Sequence, residues 1–594
     1  MKTDPPLSTS DSRGLLSSVS QPPSYRGADL LVDSLIAAGI KTIFGVPGDT
    51  GVVFYDALYS HTSEINHVLA RDERHAASMA DGFARVSGDV GVVEVSSGGG
   101  TTYVVGGLGE AYASGVPILL ITSDIHSSSR GTGALTEIDQ VALFSAVTKS
   151  ATVIQAAQEI PSALISALEI ATTGRPGPVA LIIPEEVLDE LAVATPTGGL
   201  IRPASARSGA STATIMAAKI LLENAERLVI VAGSGVHTSG ASAALSDLAM
   251  LLGAGIATTI HGRGCVVDDN PWSLGVCGNN GGQPGVNGLL QEADVVLFVG
   301  TRANATDTNS FTAPDRNSAK TIHIDIDSTR ASMNYPHGLA LVGDARVVLE
   351  QLIEAVAAVS PALIESRQQI VAAARKDRVD PYNTPGRSGA EPSKGLLPID
   401  VITLVASIVP PATLTVADPG TPTPNVANYW PVKKVGRNVI IPRGHGPMGY
   451  AIPAAIGMAV ARRNSSVVSF TADGSFAMAC GELETVARLN LPILFIQFTN
   501  HSFGWIKMLQ HLYSEERYFG VDPGDIDSVM VARACGLKAD RPKTLDQLRK
   551  LVHEFATSAQ PVYIDIEVPH MIDHTPPVPA WYGALLGDKT RPAY

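Results

Sequence analysis

Asp473, with Gly474 and Ser475 after it and Asn500 27 positions further on, pairs one carboxylate with one amide oxygen. Each stands at the end of an apolar run, 466–470 and 493–498, and both runs read as buried strands. A helical stretch over 481–490 lies between them. In a parallel sheet two such strands end on one edge, so the two oxygens converge there. Oxygen ligands beside glycine-freed backbone N–H groups suit Mg²⁺ carrying a diphosphate, because this hard cation takes oxygen and phosphate partners. Taken alone, Asp-Gly is equally an ordinary turn.

Two further segments add chemistry. Glu73 opens the stretch Glu73-Arg74-His75-Ala76-Ala77-Ser78-Met79-Ala80-Asp81-Gly82, and 443–457 contains Gly446-Pro447-Met448-Gly449 followed by Pro453-Ala454-Ala455. Together the three segments resemble the thiamine-diphosphate (ThDP)-dependent enzymes of the acetolactate synthase-like family. The first is similar to their GDG…NN signature, with Ala472 in place of the first Gly and Thr499 in place of the first Asn. The resemblance implies that Asp473, Asn500 and the main-chain carbonyl of Ser502 hold the metal, with Gly474 and Ser475 at the cofactor. Glu73 takes the position of the family's catalytic glutamate. A carboxyl hydrogen-bonded to N1′ of the aminopyrimidine lets that ring remove the proton from C2 of the cofactor. Met448 maps to the wedge beneath the cofactor and the Gly446 carbonyl to the N4′ contact. A buried Met is otherwise plain core filler.

The same resemblance assigns secondary positions. Asp418-Pro419-Gly420-Thr421 is similar to the loop that meets the diphosphate, with Gly420 and Thr421 as donors. Gly45-Val46-Pro47-Gly48 lies beside the substrate in relatives, which places Pro47 at the site. Gly98-Gly99-Gly100 is similar to a G-P-G loop, with Gly99 replacing Pro. In 131–139, Leu135-Thr136 stands where synthases carry Phe-Gln, so an amide facing the site is lost. His126 and His445 are expected near the cofactor edge, as proton carriers or as partners of backbone groups.

These residues need strands and helices in alternation to hold them. From 26 to 195, 205 to 375 and 396 to 572, apolar runs such as 117–122, 228–232 and 293–299 alternate with helical stretches. The expectation is an α/β protein of three Rossmann-like parallel-sheet domains. The resemblance makes them a pyrimidine-binding and a diphosphate-binding domain flanking a central one. Residues 1–25 read as a disordered arm, 195–203 and 380–394 as linkers, and 573–594 as a Pro-stiffened tail that is either a lid or a packed arm. Arg302 stands where relatives approach a nucleotide, but the family's FAD-associated R-F-D-D-R-V-T-G run is absent, which argues against FAD and leaves ADP or nothing.

A net charge of −14 argues against nucleic acid or an anionic membrane as the main partner. Four cysteines without CxxC spacing fit a reducing compartment, and no long apolar run is present, so a cytoplasmic protein is expected. The resemblance implies decarboxylation of a 2-oxo acid with carboligation to a second carbonyl. Its other branches, 2-hydroxyacyl-CoA lyase and oxalyl-CoA decarboxylase, would act on an acyl-CoA. It also implies that Glu73 and Asp473 of one chain serve different cofactors, so the chain works as a homodimer or homotetramer. A catalytically silent binding subunit is the remaining reading; intact Glu73, Met448, Asp473 and Asn500 count against it.

Overall fold

The computed structural model describes residues 24–193, 207–317, 320–357, 359–376, 395–588 and 590–592. The expected N-terminal arm and both expected linkers lie almost wholly outside these residues. Runs rich in Val, Ile and Leu form strands buried on both faces, the pattern of a parallel sheet covered by helices. Three six-stranded parallel sheets result.

The first sheet is built on Thr42–Val46, Gly91–Val95, Ile118–Asp124 and Val179–Pro184, with Asn66–Leu69 and Ala151–Val153 at its edges. The third is built on Leu414–Ala417, Val467–Ala472, Ile493–Thr499 and Val562–Glu567, with Val439–Ile440 and Lys538–Asp540 at its edges. Counting strands within each sheet, both follow the order 2-1-3-4-6-5, so the outer units share one topology. The middle sheet runs Ser273–Val276, Gly255–Thr258, Leu228–Ala232, Val295–Val299, Lys320–Asp325, Leu339–Val342, which is the doubly wound order 3-2-1-4-5-6.

One apolar core cluster runs through both outer units. Its centre is the contact between helices Glu73–Ser87 and Ala451–Ala461. Their backbones touch: a Cβ on Gly82 would lie 2.4 Å from the Ala454 carbonyl oxygen, and one on Gly457 1.9 Å from that of Met79. Only glycine allows that approach.

One local expectation changes. Strand Val467–Ala472 runs without a loop into a helix at Asp473–Ala479, and the expected helix follows it as Glu482–Leu489. An acidic first residue suits a helix N-terminus, which is why Asp473 can open one. The tail is packed: helix Pro579–Leu585 lays Trp581, fully buried, against Trp505 with ring centroids 4.4 Å apart.

Candidate active site

Asp473 sits where its strand turns into its helix. Its Oδ1 accepts the N–H of Gly474 at 2.8 Å, and its Oδ2 accepts those of Asn500 at 3.0 Å and His501 at 2.7 Å. One carboxylate therefore ties together the ends of two neighbouring strands, the convergence expected from the apolar runs. Burial pushes the Asp473 carboxyl up, against the pull of those N–H donors. Asn500 Nδ2 donates to Thr421 Oγ1 at 3.3 Å, which brings the 418–421 loop to the same edge. Ser502 Oγ lies 3.5 Å from Asn500 Oδ1 and 2.6 Å from His570 Nε2.

The expected cofactor groups surround this point. Gly420 has φ +97° with open space where a Cβ would stand. A Cβ on Gly474 would lie 2.7 Å from Phe503 Cε1 and 3.3 Å from Met448 Cε, so the Phe503 ring and the Met448 methyl both border that helix start. Met448 is 38% exposed, not buried filler. Ser475 is fully buried, and its hydroxyl has no hydrogen-bond partner among the described residues. An unpartnered buried donor is costly unless something else binds it. Asp418, at the start of the 418–421 loop, is a buried anchor. It accepts from Tyr450 N at 2.9 Å, Ala451 N at 3.0 Å and Thr471 Oγ1 at 2.7 Å, and burial pushes it up to about 6.

At the edge of the first sheet, Glu73 opens its helix behind the N-cap Asp72, whose carboxylate accepts Arg74 N at 2.8 Å. A Cβ on Gly100 would lie 3.4 Å from Glu73 Oε1, so Glu73 overhangs the start of helix Gly99–Ser114, which replaces the expected 98–100 loop. Pro47 is exposed and leads into Gly48, where a Cβ would collide with Ser96 Oγ at 2.1 Å. Thr136 spends its hydroxyl on Ser97 Oγ at 2.8 Å. His126 accepts from Ser128 N at 3.2 Å, and the His445 ring lies against Gly109. Both imidazoles thus have local structural contacts.

Sequence reasoning missed Glu94. It is buried in strand Gly91–Val95, accepts the Tyr55 hydroxyl, and through Tyr55 is linked to His67 Nε2, 3.2 Å from that hydroxyl. Burial pushes its carboxyl up to about 8; the Tyr55 hydrogen bond opposes this and the charge of Glu73 adds to it. Its signal in the sequence was one charge inside Gly91-Val92-Val93-Glu94-Val95.

Among the described residues no three His, Cys, Asp or Glu side chains cluster for a metal, and the expected donor set contains one carboxylate. That set of carboxylate, amide oxygen and main-chain carbonyl is all oxygen, as Mg²⁺ requires. The partnerless Ser475 hydroxyl and the open Gly420 turn fit a diphosphate beside it.

In the middle unit a cavity of about 610 Å³ opens where the strand order reverses, lined by Ser234, Gly235, Gly300, Thr301 and Arg302 and, from the first unit, Arg175. No helix among the described residues is long and apolar enough to cross a membrane.

Comparison with known proteins agrees with this layout. Residues 25–143 match the thiamine pyrophosphate enzyme N-terminal TPP binding domain, 215–352 the central domain and 418–566 the C-terminal TPP binding domain. The chain is 34% identical over 551 residues to a probable acetolactate synthase large subunit of Methanocaldococcus jannaschii, covering 91% of this chain and 92% of that protein. It is 31% identical over 553 residues to the acetolactate synthase isozyme 3 large subunit of Escherichia coli K12, covering 91% and 94%. An acetolactate synthase of Arthrospira platensis is 30% identical over 557 residues, again covering 91% and 94%.

Proposed function

The chain belongs to the thiamine pyrophosphate enzymes, and on that premise we propose that it decarboxylates a 2-oxo acid with Mg²⁺-bound ThDP and joins the product to a second carbonyl. The observation that carries this reading is Asp473 holding Asn500 beside the partnerless Ser475 hydroxyl, with Met448 bordering the same helix start. Similarity to acetolactate synthase large subunits along most of the chain supports the carboligation half.

When bound, ThDP supplies the nucleophilic carbon and the electron sink that lets CO₂ leave. The chain's own residues do the rest. Asp473, Asn500 and the Ser502 carbonyl hold the metal. Gly420, Thr421, Gly474 and Ser475 offer donors to the diphosphate. Met448 and the Gly446 carbonyl shape the space for the rings, and Glu73 holds a proton at the aminopyrimidine. Pro47, exposed beside the Gly48 turn, borders the substrate. The units at 26–195, 205–375 and 396–572 act as pyrimidine-binding, central and diphosphate-binding domains of a cytoplasmic homodimer or homotetramer. In it, Glu73 of one chain completes the site of another.

A second reading, cleavage or decarboxylation of an acyl-CoA, draws on the cavity at Arg302 and the missing FAD run, since that space could take ADP. One preparation tests both. Mass spectrometry of ligands released from the purified protein reads ThDP, FAD and ADP together, and a pyruvate assay reads acetohydroxy acid formation. ThDP with rapid turnover of pyruvate supports the synthase reading. Bound ADP, with no turnover of pyruvate and cleavage of a 2-hydroxyacyl-CoA, replaces it.

A further inference from the structure

Glu110 lies near the end of helix Gly99–Ser114 in the first unit and is fully buried. Its carboxylate reaches across to the third unit and accepts three consecutive backbone N–H groups: Gly444 at 3.2 Å, His445 at 2.7 Å and Gly446 at 3.1 Å. Arg85 Nη2 at 3.1 Å and Ser114 Oγ at 2.6 Å donate to the same carboxylate. Burial alone would push this carboxyl up; Arg85, His261, Ser114 and the His445 N–H outweigh it and hold it below the usual range. The approach is close enough that a Cβ on Gly444 would lie 2.4 Å from Ser114 Oγ.

The other end of the same loop is also fastened. The Tyr450 hydroxyl donates to Asp81, which also takes the Arg85 guanidinium, and Tyr450 N donates to Asp418 at 2.9 Å. Gly446, with φ +76°, ends the first clamp, and the partly exposed Met448 stands between the two.

We infer that Glu110 is a positioning residue that sets the Gly446–Met448 loop of its own chain for catalysis. The inference rests on the reading that this loop shapes the cofactor and that Glu73 serves the neighbouring chain. The first unit then acts on two cofactors, its own through Glu110 and the partner's through Glu73. A displacement of about 1 Å in such a loop is enough to cost roughly a hundredfold in rate. The diphosphate and metal contacts stay untouched.

Two variants of the full-length holoenzyme separate positioning from structure. Glu110→Gln keeps the shape but loses the charge and an acceptor, while Arg85 keeps Asp81 as its counter-ion. Glu110→Asp keeps the charge but withdraws it by one methylene from the loop. Both should lower kcat by roughly ten- to a hundredfold, with the Kd for ThDP and KM changed far less. Wild-type kcat in Glu110→Asp would show that charge alone matters and would overturn the proposal.

Mixed dimers, co-expressed with two affinity tags, test the same-chain action. Glu73→Gln in one chain and Glu110→Gln in the other should leave one intact site per dimer and recover roughly half of wild-type turnover. A control dimer pairing Glu73→Gln with Asp473→Ala should recover as well. Recovery in the control alone would overturn same-chain action by Glu110. Recovery in neither would overturn the shared-site reading instead, and Glu110 is then decided by the two single variants.

Discussion

The carboxylate of Asp473 accepts the backbone N–H of Asn500 at 3.0 Å, so the group that ends one strand also holds the turn that ends the next. The geometry of that turn therefore depends on one side chain, and under the proposed function metal binding would depend on it as well. Asp473→Ala should abolish Mg²⁺-dependent ThDP binding, because one of few protein oxygens on the cation is lost. Chelation of the wild type should reproduce the effect. Normal ThDP affinity of the variant by titration calorimetry would place the metal elsewhere.

Glu73→Gln should still bind ThDP but turn over roughly two to four orders of magnitude more slowly, the range for losing acid–base assistance. Single-turnover kinetics give the clearest comparison, since product release could mask the step. Equal single-turnover rates would remove Glu73 from the mechanism.

Ser475→Ala should act in opposite directions on the two forms of the protein. Without cofactor, removing an unpartnered buried hydroxyl should be neutral or stabilise the fold by up to about 1–3 kcal/mol. ThDP affinity should fall roughly ten- to a hundredfold if the hydroxyl donates to a charged diphosphate. Thermal unfolding with and without ThDP measures both, and unchanged affinity would take Ser475 out of the site.

Glu94 predicts a pH dependence. Its carboxyl rises from the ordinary 4.5 to about 8 in the fold, so across that window the folded chain holds a proton that the unfolded chain has released. Stability is then full below the lower value and falls as pH climbs toward the upper one. The groups facing it are the Tyr55 hydroxyl and the Glu73 carboxylate, with His67 behind Tyr55, its imidazole pushed down to about 4 by burial and by Arg488. At about 1.4 kcal/mol per pH unit the total loss is at most on the order of 5 kcal/mol. Glu94→Gln should flatten the fall between about pH 5 and 8 and be the more stable protein at pH 8. Identical slopes in denaturant titrations of the two proteins would contradict this.

The tail carries a separate prediction. Trp581→Ala opens a cavity against Trp505 and should cost about 3–5 kcal/mol, the usual price of a buried Trp. The loss should be local, read as faster amide exchange in helix Gly504–Tyr513 with the central sheet unchanged. Exchange in that helix at the wild-type rate would mean that the packed arm contributes nothing to it.

The alternation of strands and helices, hence three parallel sheets, is legible along the chain, because strands buried on both faces need unbroken apolar runs. The sequence also carries the motifs around Asp473, Asn500, Glu73 and Met448, local patterns whose resemblance to thiamine-diphosphate enzymes implies the roles proposed for them. What those residues lean on follows from the folded chain alone. Glu110 and the 444–446 N–H groups are more than three hundred residues apart, as are Asp81 and Tyr450, and no local pattern links such positions. Likewise no local pattern sets Trp581 of the tail against Trp505. Hydrogen bonds and apolar contacts reward proximity in space, and where two distant segments meet is settled by the packing of the whole core, not by either segment.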